Sequence, residues 1–114
     1  MQTGAFLSGV DTPTEVVDYC ITRQILGFNN QIMMVKVWFE EGAQGYIHSH
    51  FHSQVTYVES GEFDVTVGTE TRTLVAGDCF FMEPNAEHGA ICKCAGVLID
   101  VFSPLREDFL GVDA

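Results

Sequence analysis

The chain has 114 residues, 46% of them hydrophobic, and sixteen acidic residues against five basic ones, for a formal net charge of −11. That is length enough for one domain, residues 1–114, around one sizeable core, and the charge excludes a nucleic-acid partner or an anionic membrane surface, because nothing here can neutralise a row of phosphates. The first ten residues contain no lysine or arginine and no long apolar core, and no apolar run reaches a membrane span, so the chain is expected in the cytoplasm with Cys20, Cys79, Cys92 and Cys94 reduced.

Glycine-rich punctuation recurs every eight or so residues, which predicts many short strands rather than helices. The expected strands run in chain order. Residues 19–26 come first, closed by a turn at Gly27-Phe28-Asn29-Asn30. Residues 31–39 (QIMMVKVWF) are strongly apolar, with Met33, Met34 and Trp38 read as core. Residues 46–50 and 55–59 follow, then a Ser60-Gly61 turn. Residues 62–67 alternate cleanly, with Phe63, Val65 and Val67 on one face. Residues 70–75 and 79–82 follow, and Pro84-Asn85 forms a loop before His88. Residues 90–93 and 97–102 are the last strands, before a terminal segment with one or two helical turns. Cys92 and Cys94 are read as packing residues on one strand face. The pattern predicts an all-β protein closed as an antiparallel β-barrel.

Three of the four histidines fall in His48-Ser49-His50-Phe51-His52-Ser53-Gln54. On one extended strand these side chains spread too far to share an ion, since ligands lie only about 2.0–2.2 Å from a transition metal. His48 and His50 can chelate together. Gln54 joins them only if the chain reverses at residues 51–53, which puts His52 on the turn and outside the ligand set. His88 is the remaining histidine. The expected metal set is therefore His48, His50, Gln54 and His88, with Gln54 as either a ligand or a hydrogen-bonding neighbour. Such a set suits Zn, Ni, Fe or Mn without choosing among them. With no carboxylate ligand, the ion keeps its charge for Lewis-acid work on an anionic compound.

These residues resemble the two cupin motifs. Gly42-x5-His48-x-His50-x3-Gln54-x6-Gly61 fits the first, with glutamine where glutamate is usual. Residues 77–88, GDCFFMEPNAEH, fit the second with the proline one position late. The resemblance implies a double-stranded β-helix, a jelly-roll-like barrel around one divalent transition metal ion. The total length, HSHFHSQ, the strand IMMVKVWFEEGA and the tail DVFSPLREDFL further resemble the small pectin-degradation cupins of the KdgF type. Members of that family open the ring of 4,5-unsaturated monouronates from pectin or alginate and ketonise them to linear keto acids. By that resemblance the catalytic residues are Asp100, Phe102 and Arg106. Residues 1–18 match nothing specific.

Residue chemistry is compatible with that role. Leu98, Asp100 and Phe102 share one face of an otherwise apolar strand, where an acid is costly unless it is paired or working. Asp100 is then either a structural carboxylate, a partner for Arg106, or an acid/base that takes and returns a proton. Arg106 either holds the substrate carboxylate or pairs with Glu107 or Asp108, and Phe102 either presses on the sugar or simply packs. Two alternative functions remain: a cupin dioxygenase with the same ligands, or a non-enzymatic sugar-binding cupin. The resemblance to small cupins implies a homodimer. Basic residues are so scarce that each arginine draws interest.

Overall fold

Strict alternation sorts the side chains of each long strand. In β3 (Ile32–Phe39), Met33, Val35 and Val37 are buried while Ile32 and Met34 face out. In β5 (Ser53–Val67), Gln54, Thr56 and Val58 point inward, then Phe63 and Val65 do so further along. The inward sets meet in one core that also takes Ile21, Ala43, Cys92, Leu98, Phe102 and Leu105. The molecule is a computed structural model in which residues 1–111 are described.

The remaining strands are β1 (Glu15–Asp18), β2 (Ile21–Asn29), β4 (Gln44–His48), β6 (Glu70–Val75), β7 (Cys79–Met82) and β8 (His88–Ser103). A 3-10 turn, Glu107–Leu110, follows β8. The strands join in the order β1-β2-β3-β8-β5-β6, with β4 also on β8 and β7 on β5. Every pairing is antiparallel. The structure is thus almost all-β, as expected. Its two long strands, β5 and β8, pair along nearly their whole length and carry most of the inward-facing polar residues.

Several boundaries differ from the sequence reading. Gly27-Phe28-Asn29 is not a turn. β2 continues through it with an irregularity between Ile25 and Phe28, and the reversal comes at Asn30-Gln31. Ser60-Gly61 is not a turn either, but a bulged stretch inside β5. The two late strands are one, β8. Met34 is 41% exposed on the outer face rather than in the core. Cys92 is buried and Cys94 exposed, so only the first packs in the core. The N-terminal stretch contributes β1 and is tied down: the Gln24 side chain donates to the carbonyls of Gly9 at 2.8 Å and Thr12 at 2.9 Å. The terminal segment expected over 103–114 is described only to Gly111.

At the Gly61 bulge the backbones of β5 and β8 nearly touch. A Cβ on Gly96 would lie 2.1 Å from the Ser60 carbonyl oxygen, and one on Gly61 would lie 2.6 Å from the Gly96 Cα. Gly61 also needs φ +87°, the left-handed region. The Gly96→Ala variant is therefore expected to lose about 3 kcal/mol of stability. A thermal unfolding scan reads this as a midpoint lowered by about 10 °C; an unchanged midpoint contradicts this packing.

Candidate metal centre and active site

The site grows from the junction of β4, β5 and β8. His48 ends β4 and pairs in register with His88, the first residue of β8. His50 lies in the link to β5, and the chain bends at Phe51-His52 so that Gln54, on β5, returns to the same place. The His48 and His88 rings are 4.3 Å apart between centroids, and those of His50 and His88 4.9 Å. One nitrogen from each of His48, His50 and His88 lies within 4.8 Å of the other two. The expected reversal is present and returns Gln54 to His50, while the β4–β8 pairing brings in His88 from a distant point of the chain.

Hydrogen bonds orient these rings. The Nδ1–H of His48 donates to the Tyr46 carbonyl at 2.8 Å, that of His50 to the His52 carbonyl at 3.2 Å, and that of His88 to the Ala86 carbonyl at 2.9 Å. In a neutral ring each bond places the proton on Nδ1 and leaves Nε2 with its lone pair, the arrangement that metal-binding histidines use. His88 Nε2 is buried with no hydrogen-bond partner. His50 Nε2 faces the Gln54 Oε1 at 2.8 Å. A neutral imidazole has one proton, and this ring faces two acceptors. A cation beside Nε2 resolves that conflict, so the donors present fit a metal ion. Burial pushes His88 down to about 4, which keeps its nitrogen free of a proton across the physiological range. Burial also lowers His50.

Gln54 is held from behind. Its Nε2 donates to Thr56 Oγ1 at 2.9 Å and to Asp100 Oδ1 at 3.3 Å, and Thr56 donates to the same Asp100 oxygen at 2.7 Å. The carboxylate demands the amide's N–H side, so the amide oxygen must face the histidines. Asp100 stands opposite Thr56 in the β5–β8 register. Its burial pushes its carboxyl up to about 6, against the pull of the Thr56 and Gln54 hydrogen bonds and the Arg106 charge. An acid tuned to that range inside a pocket can both accept and return a proton near neutrality. Thr56 was not singled out from the sequence, although its place two residues after Gln54 puts it on the same face.

A cavity of about 270 Å³ opens beside this cluster, lined by His48, Gln54, His88, Asp100, Phe102 and Arg106 among others. Phe102 is buried, with its ring edge-on to His50 at 5.7 Å. Arg106 forms a two-point ion pair with Asp108, Nε to Oδ1 at 3.1 Å and Nη2 to Oδ2 at 2.9 Å, as one of its two sequence readings allowed. That pair uses only one side of the guanidinium. The end-on edge, with Nη1 and the second Nη2 proton, remains for an anion in the cavity. His52 lies at the bend and outside the histidine cluster, as expected. It is buried, its Nε2–H donates to the Leu105 carbonyl at 3.0 Å, and it fastens the tail just before Arg106.

Residues 35–102 match the family described as Cupin domain, and the chain belongs to that family. It is 42% identical over 102 residues to "Pectin degradation protein KdgF" of Dickeya dadantii (strain 3937), covering 88% of this chain and 93% of that protein. Among solved structures, an RmlC-like cupin from Shewanella frigidimarina NCIMB 400 is 51% identical. It superposes with a TM-score of 0.93 over 95% of this chain and 97% of that one. KdgF from Halomonas sp. is 36% identical, with a TM-score of 0.89 over 94% and 99% of the two chains. Within the cupins, these matches place the chain with the small pectin-degradation proteins of the KdgF type that its sequence resembles.

Proposed function

We propose that this protein opens the ring of 4,5-unsaturated monouronates and ketonises them to linear keto-deoxyuronates. The observation that carries this reading is Asp100: a carboxyl raised into the working range, lining a cavity with Arg106, His48 and His88, beside the cluster that those two histidines form with His50. The similarity to a pectin degradation protein supports the substrate class.

The balance of the reaction is an isomerisation. Asp100 takes the proton of the anomeric hydroxyl, the C1 oxygen becomes a carbonyl, and the bond from C1 to the ring oxygen breaks. Its electrons leave the former ring oxygen as an enolate on C5. Asp100 then returns a proton to C4, and a ketone forms at C5. Arg106 receives the substrate carboxylate on its end-on guanidinium edge. Phe102 packs on the sugar and excludes water. His48, His50, Gln54 and His88 would hold one divalent transition metal ion, which would supply Lewis-acid stabilisation of the charge that develops on oxygen.

Proton NMR of wild-type protein with the unsaturated monouronate tests the reading. Accelerated loss of the vinyl signal, with a linear keto acid as product, supports it. Oxygen consumption with oxidised products points to a dioxygenase, and binding without turnover to a sugar-binding cupin; either result sinks the proposal.

We place the protein in the cytoplasm, with its four cysteines unpaired. No helix among the described residues is long and apolar enough to cross a membrane. A homodimer is supported by the outer sheet face. There Met34, Val55, Tyr57 and Phe81 are 41 to 56% exposed, and the register sets them side by side around Ile99 and Val101. An exposed apolar face of that kind marks an association surface. Sedimentation is expected to give a dimer for the wild type and a monomer for Phe81→Asp. A wild-type monomer at micromolar concentration contradicts the pairing.

A further inference from the structure

The chain has five basic side chains, and three of them stand away from the site. Lys36, Arg72 and Lys93 pair with surface acids and do not line its cavity. The remaining two, Arg23 and Arg106, both line it. Their positions are linked by one ring. The Arg23 guanidinium stacks on Phe109 at 3.9 Å from the ring centre, and that of Arg106 stacks on the same ring at 4.3 Å. Phe109 in turn meets Phe102 edge-on at 5.6 Å. Arg106 also lies over Phe102 at 5.1 Å.

Both arginines are held by a carboxylate. Arg23 Nε donates to Glu15 Oε1 at 2.6 Å, a single bond where Arg106 makes two to Asp108. No hydrogen bond engages the Arg23 terminal nitrogens among the described residues. The Arg23 side chain is only 18% exposed. Placing a cation there, on a strand whose neighbouring inward residue is Ile21, costs desolvation that its partners must offset. In a protein of net charge −11, a second cation aimed at the same cavity is best explained by what enters that cavity.

We propose that Arg23 is a substrate-binding residue that donates from its end-on edge to the hydroxyl-bearing side of the uronate, while Arg106 holds the carboxylate. Because both guanidinium groups stack on one ring, one monosaccharide can reach both. This makes Arg23 a determinant of which sugar acid is accepted, through the orientation of its hydroxyl groups. The inference rests on the uronate reading above.

The test is steady-state kinetics of Arg23→Gln and Phe109→Leu with unsaturated monouronate, alongside metal content and thermal unfolding. Loss of hydrogen bonds from a charged donor is expected to raise KM by roughly tenfold or more in Arg23→Gln, with kcat within about threefold of wild type and metal content unchanged. Phe109→Leu, which keeps the cation but loosens its seat, is expected to show a smaller rise in KM. An unchanged KM in a folded, metal-loaded Arg23→Gln overturns this proposal alone, and so does a fall in kcat at constant KM. A wild type that neither binds nor consumes the uronate overturns the underlying reading and this proposal together.

Discussion

Replacing Asp100 with asparagine is expected to lower kcat by about a thousandfold, the scale of a lost general acid and base, while metal content stays at the wild-type level. Asparagine keeps an oxygen for the Thr56 hydroxyl and the Gln54 amide, so the support behind Gln54 survives. The wild type is expected to show an acid limb in kcat/KM near pH 6, because the ionised carboxylate is the form that takes the first proton. The same substitution is expected to stabilise the fold. With its carboxyl raised to about 6, the native state holds this proton more tightly than the unfolded chain does. Stability from this group is therefore complete below the ordinary carboxylate value and is lost as pH rises through about 6. Asparagine never ionises, so Asp100→Asn should gain about 1 to 3 kcal/mol over wild type above pH 6 and little at pH 4. Unfolding midpoints across that range check this. A variant less stable than wild type at neutral pH would show that the charge is well compensated and that the carboxyl is structural.

Removing the metal is the second large effect. Chelation of the wild type, or the His88→Ala substitution, is expected to bring turnover down to the spontaneous rate. His88 supplies a buried nitrogen that has no other partner, so its loss should weaken metal binding by roughly a hundredfold or more. A bound ion would also stabilise the native state by mass action, about 2.7 kcal/mol when it is present at a hundred times its dissociation constant. Restoring metal to the chelated wild type should recover both activity and thermal midpoint, and doing so to His88→Ala should recover neither. Full activity in protein shown by elemental analysis to be metal-free would remove the ion from the account.

The histidine cluster was legible because its chemistry is rare and mostly local. The spacing of His48, His50 and Gln54 admits a common ion only if the chain bends, and the bend is at Phe51-His52. The inner faces of β3 and β5 were legible from alternation alone. The glycines at 27 and 61 misled, because glycine marks a turn and a close backbone crossing with the same letter. Gly61 serves a crossing with Gly96, thirty-five residues away, which no local pattern reveals. β1 escaped notice because all four of its residues are exposed and carry no apolar rhythm. The Arg23–Phe109–Arg106 stack escaped for another reason. It joins β2 to a 3-10 turn near the other end of the chain, and nothing in either segment names its partner. His52 was read as a turn residue, while its bond to the Leu105 carbonyl exists only once the tail has folded back.

The most direct measurement is the ultraviolet absorbance of unsaturated monouronate, followed over time with wild-type protein, with chelated protein and with no protein. The account predicts that the conjugated double bond disappears much faster with metal-loaded wild type than in buffer, and at the buffer rate once the metal is removed. Decay at the buffer rate in the presence of folded, metal-loaded wild type would contradict it.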